Sequence, residues 1–476
     1  MNKIVSGDKL DFIVNAGLIF LLSLWLINPS NKQVVIYFII FFFILWYKLK
    51  DWSLSALTSW IVSSVIFSGK THIFKLLDLG KFPSLRYEYP DLGYFVTLVI
   101  KTVDIISFFM LTVIVFTVIR GIKKISLKTF DILLIIYAGS TIVANLAVSP
   151  NVFVSLYSNI EIFNAVILNF FLKLFIDKKD RVQPIYGLLS VVVIFELFVS
   201  AQQLIQSSVI GKTIEFLPSI PKFGGVADEF SAFRPVGTFN HANTLAMYAA
   251  PLFIVFFSLY IIKPSFKFMV PLISGAILTF VTLSRSAWGS LIVGFLYMLH
   301  NIEYSLKINL FKKLKMLIII SSIAIVPLLI YTFPRVVKTL YAFQPSGGGN
   351  LRLRQINESL ALFARSPIFG VGNEMSVVRG IERDQSGVFT GFPAPVHNFY
   401  VLEMVEKGFV NVVIFVILIV VFLKDMYQSL KSKEKEKKIA VLGLTTAGLV
   451  LIMTAFFQPF FYLHFLVFFH HLKDYA

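Results

Sequence analysis

Ser346-Gly347-Gly348-Gly349-Asn350, Pro367-Ile368-Phe369-Gly370-Val371-Gly372 and Pro395-Val396-His397-Asn398-Phe399-Tyr400 all fall within one interval, Pro334–Glu406. It is the longest predominantly polar stretch of the chain, and apolar runs flank it on both sides. Its glycine patch and its Pro/Gly turn mark loop, not span. Between them, Leu351 to Ala364 spaces Leu353, Ile356, Leu360 and Phe363 at nearly helical period. That pattern predicts an amphipathic helix on or near a membrane surface. Arg352, Arg354 and Arg365 stand on or near its ends, and Ser366-Pro367 stops it.

Outward from this interval the chain seeks hydrocarbon. Of 476 residues, 57% are hydrophobic and 14% charged, Phe alone contributes 51, and the mean hydropathy is +0.81. Soluble globular chains rarely have such a composition. The apolar residues come in separated runs of about 15–26, the length that crosses a bilayer as helix. A membrane β-barrel would instead show weakly alternating segments of about ten residues. The fold expected is therefore an all-α polytopic membrane protein. Spans read at 12–28, 33–47, 53–68, 94–119, 131–148, 155–175, 185–202, 243–262, 268–283, 286–300, 315–332, 409–423, 439–457 and 458–471. They predict about 14 transmembrane helices, in a range of 12–14. Four regions follow: N-terminal helices 1–202, central helices with arginine motifs 203–332, a large extracytoplasmic loop 333–407, and C-terminal helices 408–476.

The formal charge of +17 does not point to nucleic acid, because the cations sit in short clusters between apolar runs. Lys48 and Lys50, Arg120 to Lys128, Lys178 to Arg181, Lys263 and Lys267, Lys307 to Lys315, and Lys431 to Lys438 fall in alternate loops. Such a bias predicts that these loops and both termini are cytoplasmic in an inner (plasma) membrane protein. Gly69–Gly93, Ile205–Asn240 and Phe333–Lys407 then lie outside. Phe74-Lys75-Leu76-Leu77 in the first of these reads as an interfacial helix. Cys is absent, which excludes disulfides and thiolate metal sites. No secretory cleavage pattern, phosphate loop, dinucleotide fingerprint or metal-spaced cluster is evident, so neither cofactor nor metal is expected. His464, His470 and His471 belong to the last span.

The residues suited to chemistry lie in or beside the outer intervals. Arg234 opens Arg234-Pro235-Val236-Gly237-Thr238-Phe239-Asn240-His241-Ala242-Asn243, where Gly237 turns the chain and Asn240 or Asn243 caps the next helix. Arg285, in Ser284-Arg285-Ser286, sits between two apolar runs with almost no room for a loop. A guanidinium there must be solvated or paired. His397 closes the long loop behind Pro393 and Pro395, and imidazole is the side chain best matched to accepting a proton near neutral pH. Two or three outer arginines can hold a diphosphate, since guanidinium stays charged and offers a fork of donors. One imidazole can deprotonate a sugar hydroxyl, and a neutralised diphosphate leaves without an acid or a metal. Against this stands a transporter or flippase of lipid-linked sugars, which would use the intramembrane charges Lys101, Asp104 and Glu196. Lys101 and Asp104 are spaced to pair locally on one helix.

Arg234-x-x-Gly237-x-Phe239-x-x-x-Asn243, Ser284-Arg285, Pro367-x-x-Gly370-x-Gly372 and His397-Asn398-x-Tyr400 with Glu403 and Gly408 resemble, in order and spacing, the O-antigen ligase/polymerase superfamily. The resemblance runs over roughly residues 200–425. It implies an undecaprenyl-diphosphate-linked glycan donor and transfer on the outer face of the membrane. The acceptor would be a lipid A core sugar for a ligase, or a second lipid-linked repeat unit for a polymerase. It implies His397 as base, Arg234 and Arg285 on the diphosphate, and one of Arg352, Arg354 and Arg365 as a further contact. Asn243 and Asn398, in the same motifs, join as substrate-binding candidates. The loop helix 351–364 would form a lid over a lateral cavity open to lipid. The expected activity is metal-independent, inverting glycosyl transfer. Polymerisation of surface-polysaccharide repeat units stands first and ligation to lipid A core second, with other polysaccharide assembly proteins as partners.

Overall fold

The computed structural model describes residues 39–47, 50–65, 74–77, 98–176, 179–207, 233–239, 241–302, 330–334, 336–337, 348–383, 386–391, 394–431, 434–459 and 461–475. Helix α1 (Trp52–Val65) precedes a two-stranded antiparallel ribbon, β1 (Phe74–Leu77) with β2 (Leu98–Ile100), in which Phe74 faces Ile100. Then come α2 (Thr102–Ile119), α3 (Thr129–Val148), α4 (Val152–Ser158), α5 (Ile160–Phe175), α6 (Lys179–Gln206) and α7 (Ala242–Ile262). Helices α8 (Phe266–Val281) and α9 (Arg285–His300) form a hairpin. The long loop contributes α10 (Gly348–Arg365), α11 (Ser376–Ile381) and α12 (Val388–Gly391). The chain continues with α13 (Phe399–Ser429), α14 (Lys435–Ala455) and α15 (Leu463–Leu472).

The protein is an all-α polytopic membrane protein apart from that ribbon among the described residues, and these hold fewer spans than hydropathy suggests. Among the described residues, 7 helices are long and apolar enough to cross a membrane: α2, α3, α4 with α5, α6 from Pro184, α7, α13 and α14. The expectation of about 14 is corrected for two reasons. The spans expected at 12–28 and, but for its end, 315–332 lie outside the described residues. Other apolar runs fold as helices too short to cross unaided: α1 has 14 residues, α8 and α9 have 16 each, and α15 has 10. At about 1.5 Å per residue, 16 residues reach about 24 Å against a core of about 30 Å. The helix expected at Phe74–Leu77 is a strand instead. Four residues make barely one helical turn, and here their backbone groups pair across the ribbon with Leu98–Ile100.

The core gathers on α7, which packs against α8 and α14. It is apolar on all sides, and 89% of its membrane-length window is buried. Small residues permit the approach: a Cβ on Gly443 of α14 would meet Ser258 Oγ of α7 at 2.2 Å, and one on Gly294 of α9 would meet Val450 at 2.4 Å. Helices in hydrocarbon associate through such close packing.

Lys128 and Lys437, from two of the basic loops, meet the C-terminal segment at one end of the bundle. Lys128 pairs with Asp474 at 3.2 Å, and Lys437 donates to the Asp474 carbonyl at 3.4 Å. Lys173 pairs with Asp131 there, and His470 meets Asp425 at 2.9 Å while stacking on Phe130. His471 bonds the Ile176 carbonyl at 2.8 Å, so both terminal histidines serve the packing of this end.

At the other end, α13 is broken at Gly408, whose φ is +79°. The break frees the carbonyls of Val405 and Glu406, and they accept instead from Val371 N–H at 2.8 Å and Gly372 N–H at 2.9 Å. Phe409 N–H in turn donates to the Pro367 carbonyl at 2.8 Å. The Pro367–Gly372 turn thus repairs the helix that it crosses, as buried backbone groups require. A Cβ at Gly408 would lie 2.1 Å from the Ile368 oxygen. Gly408→Ala is therefore expected to remove at least about 3 kcal/mol of stability, from the left-handed backbone plus the clash. Thermal unfolding of the purified protein in detergent, compared with Gly139→Ala, where a new Cβ meets nothing within 4 Å, checks this.

Candidate active site

The segment Phe233–Phe239 is extended loop fastened to α6. Gln203 accepts from the N–H groups of Val236 and Gly237, both at 2.9 Å, and donates to the Gly237 carbonyl at 2.8 Å. Glu196, two turns away along the same face, accepts from Thr238 N–H at 2.9 Å and Thr238 Oγ1 at 2.6 Å. Glu196 is fully buried, and these bonds account for a carboxylate inside an apolar helix. Its place is structural: it holds the loop that carries Arg234.

Arg234 projects from this loop toward the hairpin of α8 and α9. Its Nε donates to the Thr282 carbonyl at 2.8 Å and its Nη2 to Asn243 Oδ1 at 2.6 Å. The hairpin turn is tight, with Leu283 at φ +52°, and Arg285 is the first residue of α9, three positions after the carbonyl that Arg234 binds. Ser286 accepts from Gln458, which ties the start of α9 to the connection between α14 and α15. Tyr331 donates to the Phe233 carbonyl and closes the same wall.

His241 caps α7. Its Nδ1 accepts from Asn243 N–H at 3.0 Å, so the neutral ring carries its proton on Nε2. Burial pulls its pKa down to about 3, and the charge of Arg234, the ring of His397 and the charge of Arg352 add to the effect. Burial likewise lowers His397 to about 4, with Arg352 adding and a hydrogen bond to the Pro395 carbonyl opposing. Arg234, His241, Arg352 and His397 therefore share one electrostatic neighbourhood, although they come from four separate places in the chain. Asn398 caps α13, accepting from Val401 N–H at 3.1 Å, and so orients the helix after His397.

Helix α10 forms as expected, but its apolar residues are split: Ile356 is half-buried and Phe363 packs inward beside Leu362. Leu353 and Leu360 are exposed, whereas Gln355, Ser359 and Leu362 are buried. Gln355 donates to the Ala394 carbonyl at 3.3 Å and so steadies the approach to His397. Arg352, one turn before Gln355, lies on this inward side, and its charge reaches both imidazoles. Arg354 is exposed and donates to the Ser386 carbonyl at 3.2 Å; Arg365 is exposed at the helix end. Of the three loop arginines, the structure brings Arg352 alone into the neighbourhood of the two histidines. Sequence reading passed over His241, Gln203 and Gln355. The one signal available for His241 was its place two residues before Asn243, at a helix start.

The intramembrane charges noted in the sequence also find partners. Lys101 does not pair with Asp104 through its ammonium, as expected; it reaches Glu161 on α5 at 2.8 Å. Asp104 accepts from the Lys101 N–H at 2.8 Å, capping α2, and from Asn164 at 2.8 Å. On α13, Lys407 pairs with Glu403, which also accepts from Tyr137 at 2.6 Å. Among the described residues, no group of three or more His, Asp or Glu is arranged to hold a metal ion.

A polytopic helical membrane protein with guanidinium groups and imidazoles gathered at the end opposite its basic loops is the class that these features define. The family model described as O-Antigen ligase (Wzy_C) matches residues 268–416, and the chain carries this domain, consistent with the O-antigen ligase/polymerase superfamily. The match runs from α8 into α13; it includes Arg285, Arg352, Arg354, Arg365, His397 and Asn398, while Arg234 and Asn243 precede it. No curated protein matches the chain.

Two imidazoles held neutral make a pH signature. In the unfolded chain each binds a proton below about pH 6.5, whereas the folded rings stay neutral down to about 4 and 3. The unfolded state therefore binds more protons in that window, and stability is expected to fall as pH drops through it, by at most about 1.4 kcal/mol per pH unit per ring. Unfolding midpoints measured from pH 7 to 4 check this, with His241→Asn, which keeps a capping side chain, and His397→Asn each flattening the slope.

Proposed function

We propose that the protein transfers a glycan from a lipid diphosphate, undecaprenyl diphosphate being the expected carrier, to a hydroxyl of a saccharide acceptor, on the membrane face opposite its basic loops. The observation that carries this proposal is the shared neighbourhood of His397, Arg352, His241 and Arg234. Arg234, Arg285 and Arg352 supply charge for the donor's diphosphate, and guanidinium forks suit phosphate oxygens. Arg234 is fixed by Thr282 and Asn243 before any ligand arrives, so little reorganisation is needed. His397 is neutral at physiological pH and so is ready to accept a proton.

In the reaction the acceptor oxygen attacks the anomeric carbon from the side opposite the diphosphate. The bond between that carbon and the diphosphate oxygen breaks, and its electron pair leaves with the diphosphate. The hydroxyl proton goes to His397 and from there to water. Configuration at the anomeric carbon inverts.

The description of the matched family model favours ligation of the glycan to a glycolipid core over polymerisation of repeat units. Polymerisation remains the same bond-forming step with a second lipid-linked glycan as acceptor. Transport gains little support, because Glu196, Lys101 and Asp104 are engaged in holding backbone or pairing helices.

His397→Ala is expected to reduce transfer by at least about 100-fold while the protein still inserts and accumulates. Arg352→Gln is expected to raise the donor KM by about ten-fold or more and to move the acid limb of the pH–rate profile upward, because a cation beside His397 is gone. Purified protein, a synthetic lipid diphosphate glycan and two acceptors provide the assay. One addition to a glycolipid core indicates ligation, and a ladder on the lipid-linked acceptor indicates polymerisation; unimpaired transfer by His397→Ala removes the base assignment.

A further inference from the structure

A second polar feature lies at the same end of the bundle. A cavity of ≈ 210 Å³ opens between α1, α2, α3, α5, the start of α13 and the connection into α15. That volume holds a single sugar ring and falls below the pockets of about 300–1,000 Å³ that take drug-sized ligands. Its charged lining is Glu161, Glu374, Glu403, Glu406, Lys101 and Lys407, four carboxylates against two ammonium groups. Two of the carboxylates are paired, Glu161 with Lys101 and Glu403 with Lys407. Glu406 accepts from Ser376 at 2.6 Å. Glu374 stands open to the cavity, on a residue held at φ +61°. Burial, then the nearby Glu161, pushes its carboxyl above the usual range.

Aromatic faces complete the lining, among them Trp60, Phe399 and Tyr462. Flat apolar faces beside carboxylates match a pyranose, which has C–H faces and a rim of hydroxyls. The sign of the charge separates this cavity from the guanidinium cluster: a diphosphate is drawn to the arginines and repelled here. The cavity is also close to the candidate base. Phe399 follows His397 by two residues, a Cα separation of no more than about 7.6 Å.

We infer that this cavity is a saccharide site, built for an uncharged or amine-bearing sugar ring of the acceptor and closed to uronic acids and phosphates. The inference rests on the transferase proposal for its link to catalysis, but binding itself can be measured without turnover. Saturation-transfer NMR on the full-length protein in nanodiscs, with methyl glucoside, glucosamine and glucuronate as probes, tests it. Methyl glucoside and glucosamine are expected to bind, with glucuronate at least about five-fold weaker. Glu374→Lys is expected to weaken glucosamine about five-fold or more and to strengthen glucuronate, with Glu374→Gln intermediate. Farnesyl diphosphate, a probe for the arginines, is expected to leave the sugar signals in place.

No saccharide signal from the wild type, an unchanged profile in both folded Glu374 variants, or displacement of the sugars by farnesyl diphosphate overturns the inference. Sugar binding that follows this pattern in a protein without transfer activity sinks the transferase proposal and leaves the cavity standing. Transfer with an acceptor KM unchanged in Glu374→Lys does the reverse.

Discussion

The interruption of α13 at Gly408 is the constraint on which the end of the molecule that carries the candidate site depends. A helix in hydrocarbon cannot leave carbonyls without donors. Val405 and Glu406 would be so left, and the Pro367–Gly372 turn answers them with the N–H groups of Val371 and Gly372. Those bonds fix the far limb of the long loop against α13, and α10 packs on α13 from there. The loop thereby holds Arg352 near His397 although 44 intervening residues separate them in sequence. A purely local repair of a broken helix becomes the device that registers two distant parts of a site.

Much of this was legible in the chain. Apolar runs announced most of the long described helices, because burial in lipid leaves a long uninterrupted signature, although α2 starts eight residues later and α13 ten residues earlier than the runs suggest. The glycines at 370, 372 and 408 were visible as a motif, though not their shared purpose, since no spacing rule reveals that one turn will satisfy another segment's backbone. The span count erred because hydropathy registers apolar length without asking whether a helix reaches across. Phe74–Leu77 was misread because a run of four apolar residues has no period to measure.

The candidate site's geometry was legible in part, and the part that was hidden is instructive. Arg234, Arg285 and His397 stood out because charge or imidazole beside hydrocarbon demands a reason. Choosing among Arg352, Arg354 and Arg365 was beyond sequence, because helical period gives a face and not the direction in which that face turns. His241 was hidden for a different reason: a histidine at a helix start looks like any cap until other charges are found around it. Glu196 drew attention as a possible transport group, yet it anchors a loop. In a membrane protein the same rarity marks groups that react and groups that brace, and only their partners tell them apart.

The exposure of Leu353 and Leu360 on α10 bears on how the lipid-linked donor proposed above would be admitted. Leu353 and Leu360 face away from the protein while Gln355 and Ser359 face in. Acyl chains, not water, are the natural solvent for the outer side of such a helix. On the transferase proposal, a prenyl tail would then remain dissolved in the leaflet while its charged head passed beneath the helix, and the donor would not have to be extracted from the membrane. Access of this kind makes the lateral mobility of the carrier, and the fluidity of the lipid around it, part of the encounter.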